Sequence, residues 1–210
     1  MAHSAKFWDR IADKYFKQPI ADEAAYQEKL QRTRQYFDAY STVLEFGCGT
    51  GGTAINHAPY VKQIHAIDIS PRMLEIARAQ AAKKNVENVS FECADIANYE
   101  APANAYDAVL GMSILHLVKN HDQIISKVHK MLKPSGVFVS STACIGDRMA
   151  WFKFIAPIGR AIGKFPYVRI LKADALVASL EANGFQIEER WRPNKGKAHA
   201  VFIVARKLGG

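Results

Sequence analysis

Leu44-Glu45-Phe46-Gly47-Cys48-Gly49-Thr50-Gly51-Gly52 (residues 44–52) ends a short apolar run, 42–46, and begins a helical stretch, 53–57. An apolar run of this length that stops at glycines reads as a buried strand turning into a helix. Glycines at 47, 49 and 51 allow a tight turn and bring bare backbone against a ligand. The unpaired N–H groups that open the following helix face the same place and favour an anionic group there. The loop alone leaves the ligand open, because Gly47, Gly49 and Gly52 also satisfy G-x-G-x-x-G, the fingerprint of dinucleotide binding.

Strands and helices alternate outward from this loop. Further strands are predicted over 63–68, 89–93, 106–112 and 136–142, and helices over 71–84 and 122–132. Ser70 is placed to cap the first of these helices with Pro71 at its first position, and Pro134-Ser135-Gly136 ends the second. Before the loop, residues 5–38 carry apolar side chains at helical spacing, interrupted at Pro19. Near the end, 174–182 reads as a helix stopped by Asn183-Gly184, and 185–191 and 199–206 read as strands. The link between those strands is too short for a helical crossover, so they must be antiparallel. The class is α/β: a doubly wound, mostly parallel sheet with helices on both faces, closed by an antiparallel hairpin. One domain over 1–210 is expected, with capping helices in 1–40, a ligand-binding core in 41–142, an insertion or lid in 145–172, and the last helix and hairpin in 173–210.

Composition narrows the class further. Hydrophobic residues make up 49% and charged residues 23%, which excludes a disordered chain or a coiled coil. No apolar run approaches the ~18–20 residues that span a bilayer, and the first residues lack the apolar core of a secretory signal. Cys48, Cys93 and Cys144 are odd in number and widely spaced. They form neither a disulfide framework nor a thiolate metal cluster, and they point to a reducing compartment, the cytoplasm. No other metal-ligand cluster and no Ser/His/Asp order stands out. The net charge of +8 is unevenly placed: residues 1–147 hold 16 basic and 16 acidic side chains, residues 148–210 hold 12 and 4. A basic region of this kind attracts an anionic substrate, a membrane surface or nucleic acid.

Three acidic residues refine the ligand. Asp68, at the end of the second strand, lies 21 residues past Gly47, where a carboxylate accepts both hydroxyl hydrogens of a ribose. That position serves a nicotinamide dinucleotide and any other adenosine cofactor alike. Glu45 lies two residues before the first glycine. A carboxylate there can sit near a bound cation and would repel a pyrophosphate. Asp95 follows the third strand, where it can accept from an exocyclic amine such as that of adenine, while Ile96 packs on the ring.

With these residues in place, the chain resembles the class I methyltransferases that depend on S-adenosylmethionine. The resemblance is carried by VLEFGCGTGG (43–52), IHAIDISPRML (64–74), FECADI (91–96), YDAVLGMSILHLV (106–118) and MLKPSGVFVSS (131–141), in family order and spacing, with FWDRIADKY (7–15) as a weaker extension. It implies a Rossmann-like seven-stranded sheet whose last strand is antiparallel. It also implies that Gly47, Cys48, Gly49 and Gly51 line the methionine part of the cofactor, with Glu45 orienting that region. Asp68 would bind the ribose with Ile69 beside the adenine, and Asp95 and Ile96 would hold the adenine edge and face. Gly111, Met112 and Ser113 would border the transferred methyl, and Tyr15 would reach the cofactor from the capping helices.

A sulfonium methyl is already activated, so transfer asks chiefly for alignment and exclusion of water. His116, just past the fourth strand, is the candidate general base for an acceptor that must lose a proton. The acceptor region implied by the resemblance, 145–172, is rich in aromatics, and Lys153, Arg160 and Lys164 share one helical face. This suits an amphiphilic or anionic small molecule, or contact of segment 148–172 with a membrane surface. The nearest members methylate quinone precursors, lipids and small metabolites. Ser113-Ile114-Leu115-His116 stands where many enzymes acting on nucleobase amines carry Asn/Asp-Pro-Pro-aromatic, which argues against such a target. Arg190, Arg192, Lys195 and Lys197 around Trp191 could still form a phosphate-binding edge. The competing readings are a nicotinamide-dependent oxidoreductase and a cofactor-binding module without turnover.

Overall fold

The computed structural model describes residues 2–147, 166–193 and 200–209. Seven strands form one sheet: β1 (Thr42–Phe46), β2 (Gln63–Asp68), β3 (Val89–Cys93), β4 (Tyr106–Met112), β5 (Leu132–Ala143), β6 (Phe185–Trp191) and β7 (Ala200–Lys207), in the order β3-β2-β1-β4-β5-β7-β6. The pairs among β1 to β5 are parallel, and β7 runs antiparallel to both β5 and β6. The helices are α1 (Ala2–Lys17), α2 (Glu23–Arg34), α3 (Gly52–His57), α4 (Pro71–Lys83), α5 (His121–Met131) and α6 (Ala173–Ala182). This is the Rossmann-like doubly wound sheet that the alternation and the resemblance imply.

Alternate residues of the central strands feed two cores, because successive side chains of a strand point to opposite faces. Leu44, Phe46 and Val109 pack with Ile125 and Val128 of α5 and Leu176 of α6. Val43, Ala108 and Leu110 pack on the other face with Ala54 of α3 and Leu74 of α4. Runs buried on both sides read as continuous apolar segments, which is why the central strands are visible in the sequence.

One difference from the sequence reading has a local cause. β5 starts at Leu132, four residues before the predicted 136, because Leu132 already pairs with Tyr106 and the pairing resumes only at Ala108 with Val137. The residues between bulge out through Ser135 (φ 62), and Lys133 closes the bulge by donating to both carboxylate oxygens of Asp107 at 2.8 Å. The predicted start of the last strand, His199, lies outside the described residues, and β7 is described from Ala200.

α1 lies across α4. Trp8 and Ala12 pack on Met73 and Ile76, and Asp9 accepts from the Ser70 hydroxyl at 2.6 Å and the Arg72 N–H at 3.2 Å. Arg72 also donates to both oxygens of Asp13, at 2.7 and 3.2 Å. The first helix is thereby tied to the segment that follows β2.

Candidate active site

The strand order reverses between β1 and β4. Ligands of open α/β sheets bind in the crevice outside the strands' carboxyl ends at such a point. Here the crevice opens into a cavity of about 430 Å³. Gly47 and Gly49 line it, and both adopt the left-handed region, with φ 66 and 54. The loop glycines are needed for different reasons. A Cβ on Gly47 would come within 2.7 Å of Ile114, and one on Gly51 (φ 78) within 2.9 Å of Ala77. A Cβ on Gly49 would meet nothing within 4 Å. Gly47 and Gly51 thus answer to the protein's own packing, and only Gly49 leaves empty space towards the cavity. Gly51→Ala is expected to cost ~1–3 kcal/mol of stability, from left-handed strain and the clash together. At ~2–4 °C per kcal/mol, thermal unfolding should show a clear drop in midpoint, and an unchanged midpoint would contradict this account of the turn.

Asp68 holds the loop in shape. Its Oδ2 accepts the Gly49 N–H at 2.8 Å and its Oδ1 accepts the Ser70 N–H at 2.9 Å. Burial raises its pKa, partly offset by those N–H donors. Each carboxylate oxygen has a second lone pair, so these bonds leave capacity for ribose hydroxyls.

Glu45 lies beneath the loop, 2% exposed and off the cavity wall. Burial pushes its carboxyl up to about 8, although the Ala54 N–H donates to it. Its Oε2 has no partner among the described residues. A buried acid left half satisfied in this way suits an added cation. Tyr15 lies on the wall, and its hydroxyl is held above the usual range by burial and then by the charges of Asp68 and Glu45.

Ile69, Asp95, Ile96, Met112 and Ser113 also line the cavity. Asp95 Oδ1 accepts the Ala97 N–H at 2.9 Å, which fixes the turn that presents the carboxylate. Three residues expected at the ligand stand back from the wall together with Glu45. Cys48 is buried, donates its N–H to the Ile67 carbonyl, and has its thiol pushed up by burial. Gly51 packs as described, and Gly111 makes room for the Phe46 ring, since a Cβ there would lie 2.7 Å from it. His116, the candidate base, also stands off the wall. Ile114 and Leu117 line the cavity and His116 between them does not. Burial lowers its pKa to about 4, and its Nδ1 is buried without a partner among the described residues. Its burial and its place off the wall give no support to a role as general base.

The structure adds wall residues that the sequence reading missed. Trp8 comes from α1; Lys119 and Asn120 immediately precede α5 and Gln123 and Lys127 project from it; Tyr167 precedes α6. Asn120, Gln123 and Lys127 recur at three and four residues, a polar face that could have been noticed. The wall thus carries both signs of charge, the carboxylates of Asp68 and Asp95 and the ammonium groups of Lys119 and Lys127.

A wider groove of about 770 Å³ lies on β2 and β3 towards their amino ends. His65 there bonds Ser90 and Glu92, each at 2.9 Å, and stacks on Tyr99, so its polar side chains satisfy one another. It contains none of the loop glycines. At the other sheet edge Arg190 pairs with Asp174 and Arg192 with Asp147, while Arg32 lies over Trp191. Two of the four cations of the suggested phosphate edge are thus neutralised, and Lys195 and Lys197 lie outside the described residues. So do residues 148–165 of the basic aromatic segment. Among the described residues no helix is long and apolar enough to cross a membrane.

Comparison with known proteins agrees with the geometry. The family described as "Methyltransferase domain" matches residues 43–136. The biotin biosynthesis bifunctional protein BioHC of Saccharophagus degradans is 27% identical over 91% of this chain and 34% of its own length. The ubiquinone biosynthesis O-methyltransferase of Neisseria meningitidis is 31% identical over 66% of this chain and 60% of its own. Among solved structures, the N-methyltransferase NodS from Bradyrhizobium japonicum, in complex with S-adenosylhomocysteine, superposes with TM-score 0.75 over 98% of both chains at 20% identity, a likeness of fold. The chain spans between 34% and 42% of the length of the first three curated relatives.

Proposed function

We propose that residues 43–136, which match the family described as "Methyltransferase domain", form a class I S-adenosylmethionine-dependent methyltransferase domain, and that the protein transfers a methyl group from this cofactor to a small-molecule acceptor. The observation that carries the proposal is the pairing of Glu45 with Gly49. One is a buried carboxylate with an unpartnered oxygen, the other a bare turn with open space above it. The first suits the cationic methionine end of the cofactor and the second admits its chain. When bound, the sulfonium supplies an activated methyl.

The protein's own part is to bind and align. Asp68 accepts from the ribose, while Asp95 and Ile96 hold the edge and face of the adenine. α1 covers the cavity with Trp8 and Tyr15, and α4 anchors that cover through Arg72 and Ser70. Fixing two reactants in line lowers a barrier by up to ~7–11 kcal/mol, so alignment can carry most of the acceleration without a base. The acceptor end supports an anionic or amphiphilic molecule. Lys119 and the start of α5 face it beside Ile114, Leu117 and Val118, and the 148–165 segment contributes four more cations and no acid to the sequence. The dinucleotide reading loses support at Gly52, where a Cβ would meet only the Tyr26 hydroxyl, at 3.7 Å. The third glycine of that fingerprint is there for close helix–strand packing, and none exists here.

The test is incubation of the protein with isotopically labelled S-adenosylmethionine and a small-metabolite extract, followed by mass spectrometry. A labelled low-mass product is expected. Binding of the cofactor with no labelled product from any extract would instead favour the module without turnover.

A further inference from the structure

The adenine end of the cavity is built on a connection with little structure of its own. Residues 94–105 join β3 to β4 without a helix. Asp95, Ile96 and Ala97 from this connection line the cavity. Its turn is closed by bonds that begin and end inside it. The Asn98 and Tyr99 N–H groups donate to the Asp95 carbonyl at 2.9 and 2.8 Å, and the Ala97 N–H donates to the Asp95 carboxylate. Such bonds set the shape of the turn. They do not set its place relative to the rest of the cavity.

Its place is set by the Ala94 N–H bond to the Asp68 carbonyl, by burial of Ile96 in the core, by the Tyr99–Tyr106 hydroxyl bond and, directly at the turn's carbonyls, by Lys127. Lys127 projects from α5, which also lines the cavity through Gln123 and Ile124. Its Nζ donates to the carbonyls of Ile96, Ala97 and Tyr99 at 3.3, 2.8 and 2.9 Å. An ammonium has three hydrogens, and here three carbonyls of one turn receive them. Bonds with a charged donor are the stronger kind. We infer that Lys127 is a positioning residue for the adenine-binding turn, fixing the Asp95 carboxylate and the Ile96 side chain relative to the cofactor; this rests on the cofactor reading above. It touches neither reacting atom. It acts through Asp95 and Ile96, and it ties the adenine end of the cavity to α5.

The test is a double-mutant cycle on affinity for S-adenosylhomocysteine, measured by calorimetry. Lys127→Met keeps the aliphatic stem and removes the donors, and should weaken binding about tenfold, the size of effect expected for a lost charged hydrogen bond. Lys127→Arg, which still donates, should recover most of the loss. In an Asp95→Ala background the same Lys127→Met change should cost clearly less, about two- to threefold, because of the two groups it positions only Ile96 remains. Amide hydrogen exchange at residues 97–99 should quicken in Lys127→Met while the strands keep their protection. Unchanged affinity in Lys127→Met, or the full tenfold loss repeated without Asp95, would overturn the inference and leave the cofactor reading standing. A wild-type protein that binds no S-adenosylhomocysteine would overturn both.

Discussion

Gly49→Val is expected to abolish measurable binding of S-adenosylhomocysteine, a loss of at least about a hundredfold, in a protein that still folds. The position has φ 54 and an added Cβ would meet nothing within 4 Å, so a side chain can begin there without striking the protein. The added isopropyl group projects into the volume reserved for the ligand. The stability cost is the left-handed strain alone, ~1–2 kcal/mol for a single residue. The Gly49 N–H can still donate to Asp68. Calorimetry should therefore show lost binding, with a thermal midpoint lowered by only a few degrees. The opposite pattern holds for Gly51→Ala, where the neighbours are protein atoms and stability falls. Normal ligand affinity in Gly49→Val would remove the loop from the site.

The second large effect is a pH dependence set by Glu45. In the free protein this carboxyl is protonated up to about pH 8 because burial disfavours its charge. A cationic ligand beside it stabilises the carboxylate, so binding must expel a proton. Affinity should rise about tenfold per pH unit through neutrality and level off above pH 8, since one proton is released per ligand bound. Calorimetry in buffers of different ionisation enthalpy measures that proton directly. Glu45→Gln should flatten the profile and weaken binding at pH 8 by tens-fold.

The same group makes an opposite contribution to the stability of the free protein. Its folded pKa stands above the ordinary carboxyl value of 4.5. The stabilisation is therefore complete below that value and disappears as pH rises through about 8. His57 and His116 work the other way. Burial lowers them to about 3 and about 4 from 6.5, so their contribution is present above 6.5 and lost as pH falls. Glu45→Gln should remove the alkaline loss and leave the acid limb in place. A wild-type affinity that does not change between pH 6 and 8 would mean that Glu45 does not meet the ligand's charge.

The central strands of the sheet were legible because burial on both faces leaves unbroken apolar runs, and helix starts such as Ser70-Pro71 are local signals. The bulge at the start of β5 was not, because it depends on Lys133 reaching Asp107, a contact that appears only once β4 and β5 are side by side. The site divides in the same way. Asp68, Ile69, Asp95 and Ile96 sit at strand ends, where spacing alone brings them to the crevice. Three of the motif positions, Cys48, Gly51 and Gly111, turned out to serve internal packing, a distinction that needs the neighbours Ala77, Phe91 and Phe46 in place. His116 had the right position along the chain, but its single helical turn leaves Ile114 and Leu117 on the wall instead. The contribution of α5, Lys127 included, depends on how that helix is rotated against the sheet, which Ile125 and Val128 set by burying themselves in the core.

The central claim is that the crevice between β1 and β4 binds a sulfonium cofactor of adenosine. Titration calorimetry of the wild-type protein with S-adenosylmethionine, S-adenosylhomocysteine and the two nicotinamide dinucleotides tests it most directly. Saturable one-to-one binding of the sulfur ligands, with none of the dinucleotides, is the result this structure predicts. Preference for a dinucleotide would contradict it.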